Sequence, residues 1–141
     1  MTMRNWTLSF VIATTMYLPF SCSKPAQPAV ILPNYSTWEV SNFSDADGFI
    51  KNGIPIVMNL SSFVSRDQDK LQEVYIIYDD QHKPLFYLYL IFDPPSHEVF
   101  HFFEVKNGKP VYVRTFTDQT SEMLVFMEDF LATRYNIRPR N

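Results

Sequence analysis

His97, Glu98 and His101 are the residues of this chain whose types and spacing lend themselves most readily to chemistry: two imidazoles four positions apart, with a carboxylate beside the first. Imidazole nitrogens ligate metals and exchange protons near neutral pH, and a carboxylate is an acceptor. What three such groups do depends on the element that carries them. A helix would stack the two histidines one turn apart on a single face. A strand would also place them on one face, but roughly 13 Å apart at about 3.3 Å per residue, too far to share one ion. Glu98 would then point to the opposite face.

The run His97-Glu98-Val99-Phe100-His101 fits the His-Glu-x-x-His pattern, and so resembles the active helix of zincin metallopeptidases. The resemblance implies zinc as cofactor, His97 and His101 as its ligands, Glu122 or Glu128 as a third, and Glu98 as the base that activates metal-bound water. Such a helix would use Asp93 as its cap, Pro94 at its first position and Asn107-Gly108 at its end. Local chemistry instead favours a strand. Pro94-Pro95 bars helix upstream of the first histidine, and the run continues through Val105 and Lys106 into Asn107-Gly108, as a strand entering a hairpin does. A zinc metallopeptidase is therefore the alternative expectation. With three glycines in the whole chain there is no glycine elbow for a serine nucleophile and no phosphate-cradling loop.

Cys22 is the only cysteine, so it has no disulfide partner within the chain. It follows a short head carrying Arg4 and the apolar run Trp6 to Phe20, the pattern of a secretory signal. The exit Leu18-Pro19-Phe20-Ser21-Cys22 resembles the lipobox of bacterial lipoproteins, with Ser21 at the small position and Leu18 one place early. The resemblance implies a fatty-acyl anchor on Cys22, and Ser23 behind it, in place of the aspartate that retains lipoproteins at the inner membrane, points to the outer membrane. An ordinary signal cleaved near Ser23, leaving a secreted domain, is the alternative address. Asn34-Tyr35-Ser36, Asn42-Phe43-Ser44 and Asn59-Leu60-Ser61 match the N-glycosylation pattern and leave a secreted eukaryotic glycoprotein as a third reading.

The organisation expected is a signal over 1–21, a lipid-anchored spacer over 22–40 rich in proline, and one domain over 41–141. Losing Arg4 with the signal moves the net charge from −3 to −4, which argues against nucleic acid as a partner. Ser44 or Asp45 would cap a short helix ending at Asn52-Gly53; the Asp45-Ala46-Asp47-Gly48 run lacks the later ligands of a calcium loop. Ile54 to Met58 reads as an edge strand because of Pro55, and Ser65 to Lys70 as a polar loop. Four runs rich in aromatic and β-branched residues follow: Val74 to Tyr78, Leu85 to Phe92, Glu98 to Val105 and Val111 to Thr117. Met123, Phe126, Met127, Phe130 and Leu131 then recur at helical spacing behind Asp118 and Thr120, with Arg134 and Arg138 toward the end. The fold class is α+β: a four-stranded antiparallel meander, a short N-terminal helix, and a C-terminal amphipathic helix packed on one face.

Counting outward from Asn107-Gly108 pairs Lys106 with Lys109, Glu104 with Val111, Phe103 with Tyr112, Phe102 with Val113, His101 with Arg114 and Val99 with Phe116. Phe100, Phe102, Val111 and Val113 would seat the helix. The second face would carry Phe103, Tyr112, Arg114, Phe116 and His101, and is either buried under residues 41 to 64 or open as a binding surface for a protein partner or an apolar ligand. The functional expectation is an envelope-anchored binding module: an assembly accessory, an inhibitor or a ligand binder.

Overall fold

The computed structural model describes residues 29–67, 70–93, 97–117 and 120–140. The signal run and Cys22 lie outside the described residues, as does Asp118. Seven strands and one helix follow in the order β1 (Glu39–Lys51), β2 (Ile54–Asp67), β3 (Lys70–Tyr78), β4 (Pro84–Asp93), β5 (His97–Lys106), β6 (Lys109–Thr117), α1 (Thr120–Tyr135) and β7 (Ile137–Pro139). They form one antiparallel sheet in the order β6-β5-β4-β3-β2-β1-β7, curled into a half-barrel.

The four expected strands are β3 to β6, but the meander does not begin with them. The helix expected after Ser44 is instead β1, which pairs with β2 from Lys51↔Ile54 to Glu39↔Val64. Asn52 and Gly53, expected to end that helix, take φ of 52° and 80°, and Asn107 and Gly108 take 52° and 74°. Both dipeptides are thus two-residue hairpin turns, since positive φ at both positions matches the strand twist. Ile54 to Met58 is not an edge: β2 lies between β1 and β3, and Pro55 is tolerated one residue from the turn, opposite Ile50. Part of the expected polar loop is strand too, with Asp67 paired to Lys70.

Single extra residues interrupt three of the strand pairings, at four points. β1 gains one between Val40 and Asn42 and one between Ala46 and Phe49, where Gly48 has φ 88°. β4 gains Leu85, opposite the step from Ile77 to Tyr78, and β6 gains Val113, opposite the step from Phe102 to Phe103. Bulges of this kind raise local twist, which suits a sheet that curls.

The main core lies between α1 and one face of the sheet. Phe102 is fully buried, stacked on Phe86 at 5.1 Å between centroids, and met edge-on by Phe126 and Phe130 of the helix at 5.0 Å each. Met123, Leu131 and Ile137 complete the cluster from the C-terminal side. The helix is less cleanly amphipathic than its spacing suggests, because Leu124 and Val125 fall on its exposed side. Glu122 in its first turn and Arg134 in its last suit the helix dipole, and Arg134 also reaches Glu104 of β5 at 3.6 Å.

Arg138, expected in the helix, belongs to β7. Asn136 takes φ 53° and ends α1 with its N–H donating to the Ala132 carbonyl at 3.1 Å. The chain then returns along β1, pairing Ile137 with Lys51 and Pro139 with Phe49. Asn136 Nδ2 donates to Asn52 Oδ1 at 2.7 Å, so one hairpin turn is tied to the end of the helix. Phe102→Ala should cost about 3–5 kcal/mol in urea unfolding, whereas Phe43→Ala on β1 should change stability by less than about 0.5 kcal/mol, since its side chain is exposed.

Candidate functional site

His101 sits within β5 on the face away from the helix, and it is buried. Its Nδ1 shares a 2.8 Å hydrogen bond with Thr115 Oγ1, which in turn lies 2.7 Å from the Tyr112 hydroxyl. The Tyr89 ring lies 5.7 Å from the imidazole, and the Tyr89 hydroxyl donates to Gln72 Oε1 at 2.8 Å. Burial holds the imidazole below its ordinary pKa, so it is neutral at pH 7. A neutral histidine engaged in a polar seam between tyrosines organises packing.

The zinc set is not assembled. His97 and His101 lie four residues apart along an extended strand, at about 3.3 Å per residue. Glu98 shares the helix-side alternation with Phe100 and Phe102, opposite to His101, and Glu122 is ion-paired with Arg114. Among the described residues no group of three or more His, Cys, Asp and Glu could hold a metal ion. The one-turn spacing that the zincin motif requires is absent because the run is strand.

The five residues expected to share an open face are divided by the bulge at Val113. Counting from the turn holds as far as Phe103↔Tyr112; beyond it His101 faces Thr115, Phe102 faces Arg114, and Phe100 faces Phe116. Arg114 and Phe116 therefore lie on the helix side, with the guanidinium 4.9 Å from the Phe116 ring and 5.8 Å from Phe126. Phe103, Tyr112 and His101 remain on the second face. A signal existed in the sequence: the apolar alternation Val111, Val113 breaks before Phe116, as an inserted residue requires.

The second face is not open either. Val30, Leu32, Tyr35 and Trp38, from the segment expected to be spacer, pack with Phe63 over Val74, Ile76, Tyr87, Tyr89 and Phe103. Tyr35 lies 5.1 Å from Phe63, and Trp38 6.4 Å from Tyr89. Asn34 Oδ1 accepts from the Ser36 N–H and hydroxyl, a local turn that leads this strap into β1.

What stays accessible is the rim. β7 covers only Phe49 to Lys51 of β1, so among the described residues nothing pairs with the outer side of Glu39 to Asp47. Val40 and Phe43 on that stretch are 65% and 62% exposed, and Ile54 and Val57 of the same hairpin are exposed as well. A depression of about 380 Å³ adjoins one end of the stretch at Trp38, Glu39 and Arg66, and one of about 310 Å³ adjoins the other at Asp47, Phe49 and Arg140. Of the three glycosylation-type asparagines, Asn34 and Asn42 are exposed while Asn59 is buried in β2.

The unfolded chain protonates His101 near 6.5 and the folded chain only at lower pH. Its contribution to stability is thus present above pH 6.5 and lost as pH falls through the folded value. In urea titrations between neutral and mildly acidic pH, His101→Gln should lose less stability on acidification than the parent; equal losses would show that the imidazole is not kept neutral by the fold. Comparisons of this chain with models of known protein families, with curated proteins and with solved structures found no match.

Proposed function

We propose that this protein is an envelope-anchored interaction module, tethered through a fatty-acyl chain on Cys22, which engages a protein partner through its sheet. The observation that carries the reading is the exposed apolar set Val40, Phe43, Ile54 and Val57 on the β1–β2 hairpin. Phe102 and Phe103 are buried on opposite sides of the sheet, one under α1 and one in the cluster that the strap joins, so this chain spends its own covering elements on both faces. Large apolar side chains left exposed along a rim are characteristic of surfaces that meet other macromolecules. The anchor rests on the lone cysteine, its apolar leader and Ser21 before it.

Two measurements test this. Cys22→Ser should abolish fatty-acid labelling and move the protein from the membrane fraction to the soluble one; unchanged labelling or partition would sink the anchor. Cross-linking of the full chain in its native envelope should capture a saturable protein partner, and capture should fall when Val40, Phe43, Ile54 and Val57 are together replaced by serine. Cross-linking that yields no saturable partner would sink the module.

A further inference from the structure

We infer that the outer edge of β1 is a strand-acceptor site, which takes an extended apolar and basic segment of a partner protein as an additional antiparallel or parallel strand. The inference rests on the interaction-module reading and names the site and the chemistry of its occupant. Its ground is the juxtaposition of an unpaired stretch of sheet edge, two exposed large apolar side chains on it, and three exposed carboxylates that form no ion pair among the described residues.

The two edges of the sheet are treated differently. β6, at one end, carries Lys109 and Pro110 at its start, Arg114 in its middle and the bulge at Val113, all devices that discourage another strand from pairing. β7 at the other end is three residues long and leaves Glu39 to Asp47 of β1 beyond its reach. Within that stretch Asn42 to Ala46 pair with β2 without interruption, from Asn42↔Ser62 to Ala46↔Met58. A regular strand paired on one side presents its remaining N–H and C=O groups outward, and an added strand gains affinity from them and specificity from alternate side chains. Phe43, with Val40 upstream, is the apolar anchor available to it.

Charge selects the occupant. β1 carries Glu39, Asp45 and Asp47, all exposed, and its one cation, Lys51, lies beyond the open stretch and is 3.4 Å from Asp80. None of the three carboxylates forms an ion pair among the described residues. A second copy of the chain is disfavoured here. Two-fold pairing centred on Phe43 sets Glu39 opposite Asp47, and centring on Asn42 sets Glu39 opposite Asp45, with like charges facing in either case. A partner strand carrying lysine or arginine between apolar residues reverses the sign of those contacts.

The probe is a short fluorescent peptide of alternating valine and lysine, with its valine–glutamate counterpart as control, titrated against the full chain. The lysine peptide should bind, the glutamate peptide should bind about tenfold or more weakly, and the amides of Asn42 to Ala46 should exchange more slowly in the lysine complex. Val40→Lys with Phe43→Lys should weaken lysine-peptide binding about tenfold or more, while Leu124→Ser with Val125→Ser on the helix should leave it unchanged. Equal binding of both peptides, unprotected β1 amides, or self-association in sedimentation that the Val40→Lys, Phe43→Lys pair removes would each overturn the inference. Envelope capture of a partner that this pair leaves intact would also overturn it while sparing the module; capture of nothing would sink the module itself.

Discussion

An antiparallel sheet that carries apolar side chains on both faces must cover both, and the described residues include one helix with which to do it. Phe102 and Phe103 show the problem at adjacent positions: both are buried, and they point in opposite directions. The helix closes over Phe102 and its stacked neighbour Phe86. Phe103 and the tyrosine-rich face around it are met by Val30, Leu32, Tyr35 and Trp38, which precede the first strand. The rest of the architecture follows from that division of labour.

Because the covering elements come from the two ends of the described chain, both ends must be held to the sheet. The strap is held by ring contacts and by the Asn34 turn that feeds it into β1. The helix is held at its far end by β7, by the Asn136–Asn52 hydrogen bond and by the Arg140 N–H donating to the Gly48 carbonyl at 2.6 Å. β1 thus receives strap and return strand alike, and β7 is too short to close its edge. Val40 and Phe43 stay exposed on that unclosed stretch of β1.

The meander from β3 to β6 was legible because its runs are rich in aromatic and β-branched residues and its separators are turn residues. The first hairpin was not read as such, although its signal was the same dipeptide. Asn52-Gly53 and Asn107-Gly108 share both chemistry and conformation, but Asn-Gly is compatible with a helix C-terminus as well as a hairpin. The flanks decide, and those of Asn52-Gly53 are mixed: Ser44 to Gly48 is polar and small, a sequence that caps helices as readily as it bulges a strand. Residues 39 to 47 are strand because β2 offers them a ladder, which is a tertiary cause.

His97 to His101 shows the same dependence at the candidate site. Its strand state could be argued locally, from Pro94-Pro95 before it and the hairpin after it. The faces on which its neighbours lie could not, since a single extra residue at Val113 exchanges Arg114 and Thr115 between the two sides of the sheet. Register is transmitted along a strand with period two, so one inserted residue inverts every later side chain. By itself the sequence determined the strands rich in aromatic and β-branched residues, the Asn-Gly turn at 107–108 and the helical spacing of the last element, all properties of near neighbours. Tertiary structure alone decided which surfaces are covered, because burial is shared between segments far apart in the chain: Val30, Leu32, Tyr35 and Trp38, from a stretch that composition marks as a spacer, cover an aromatic face.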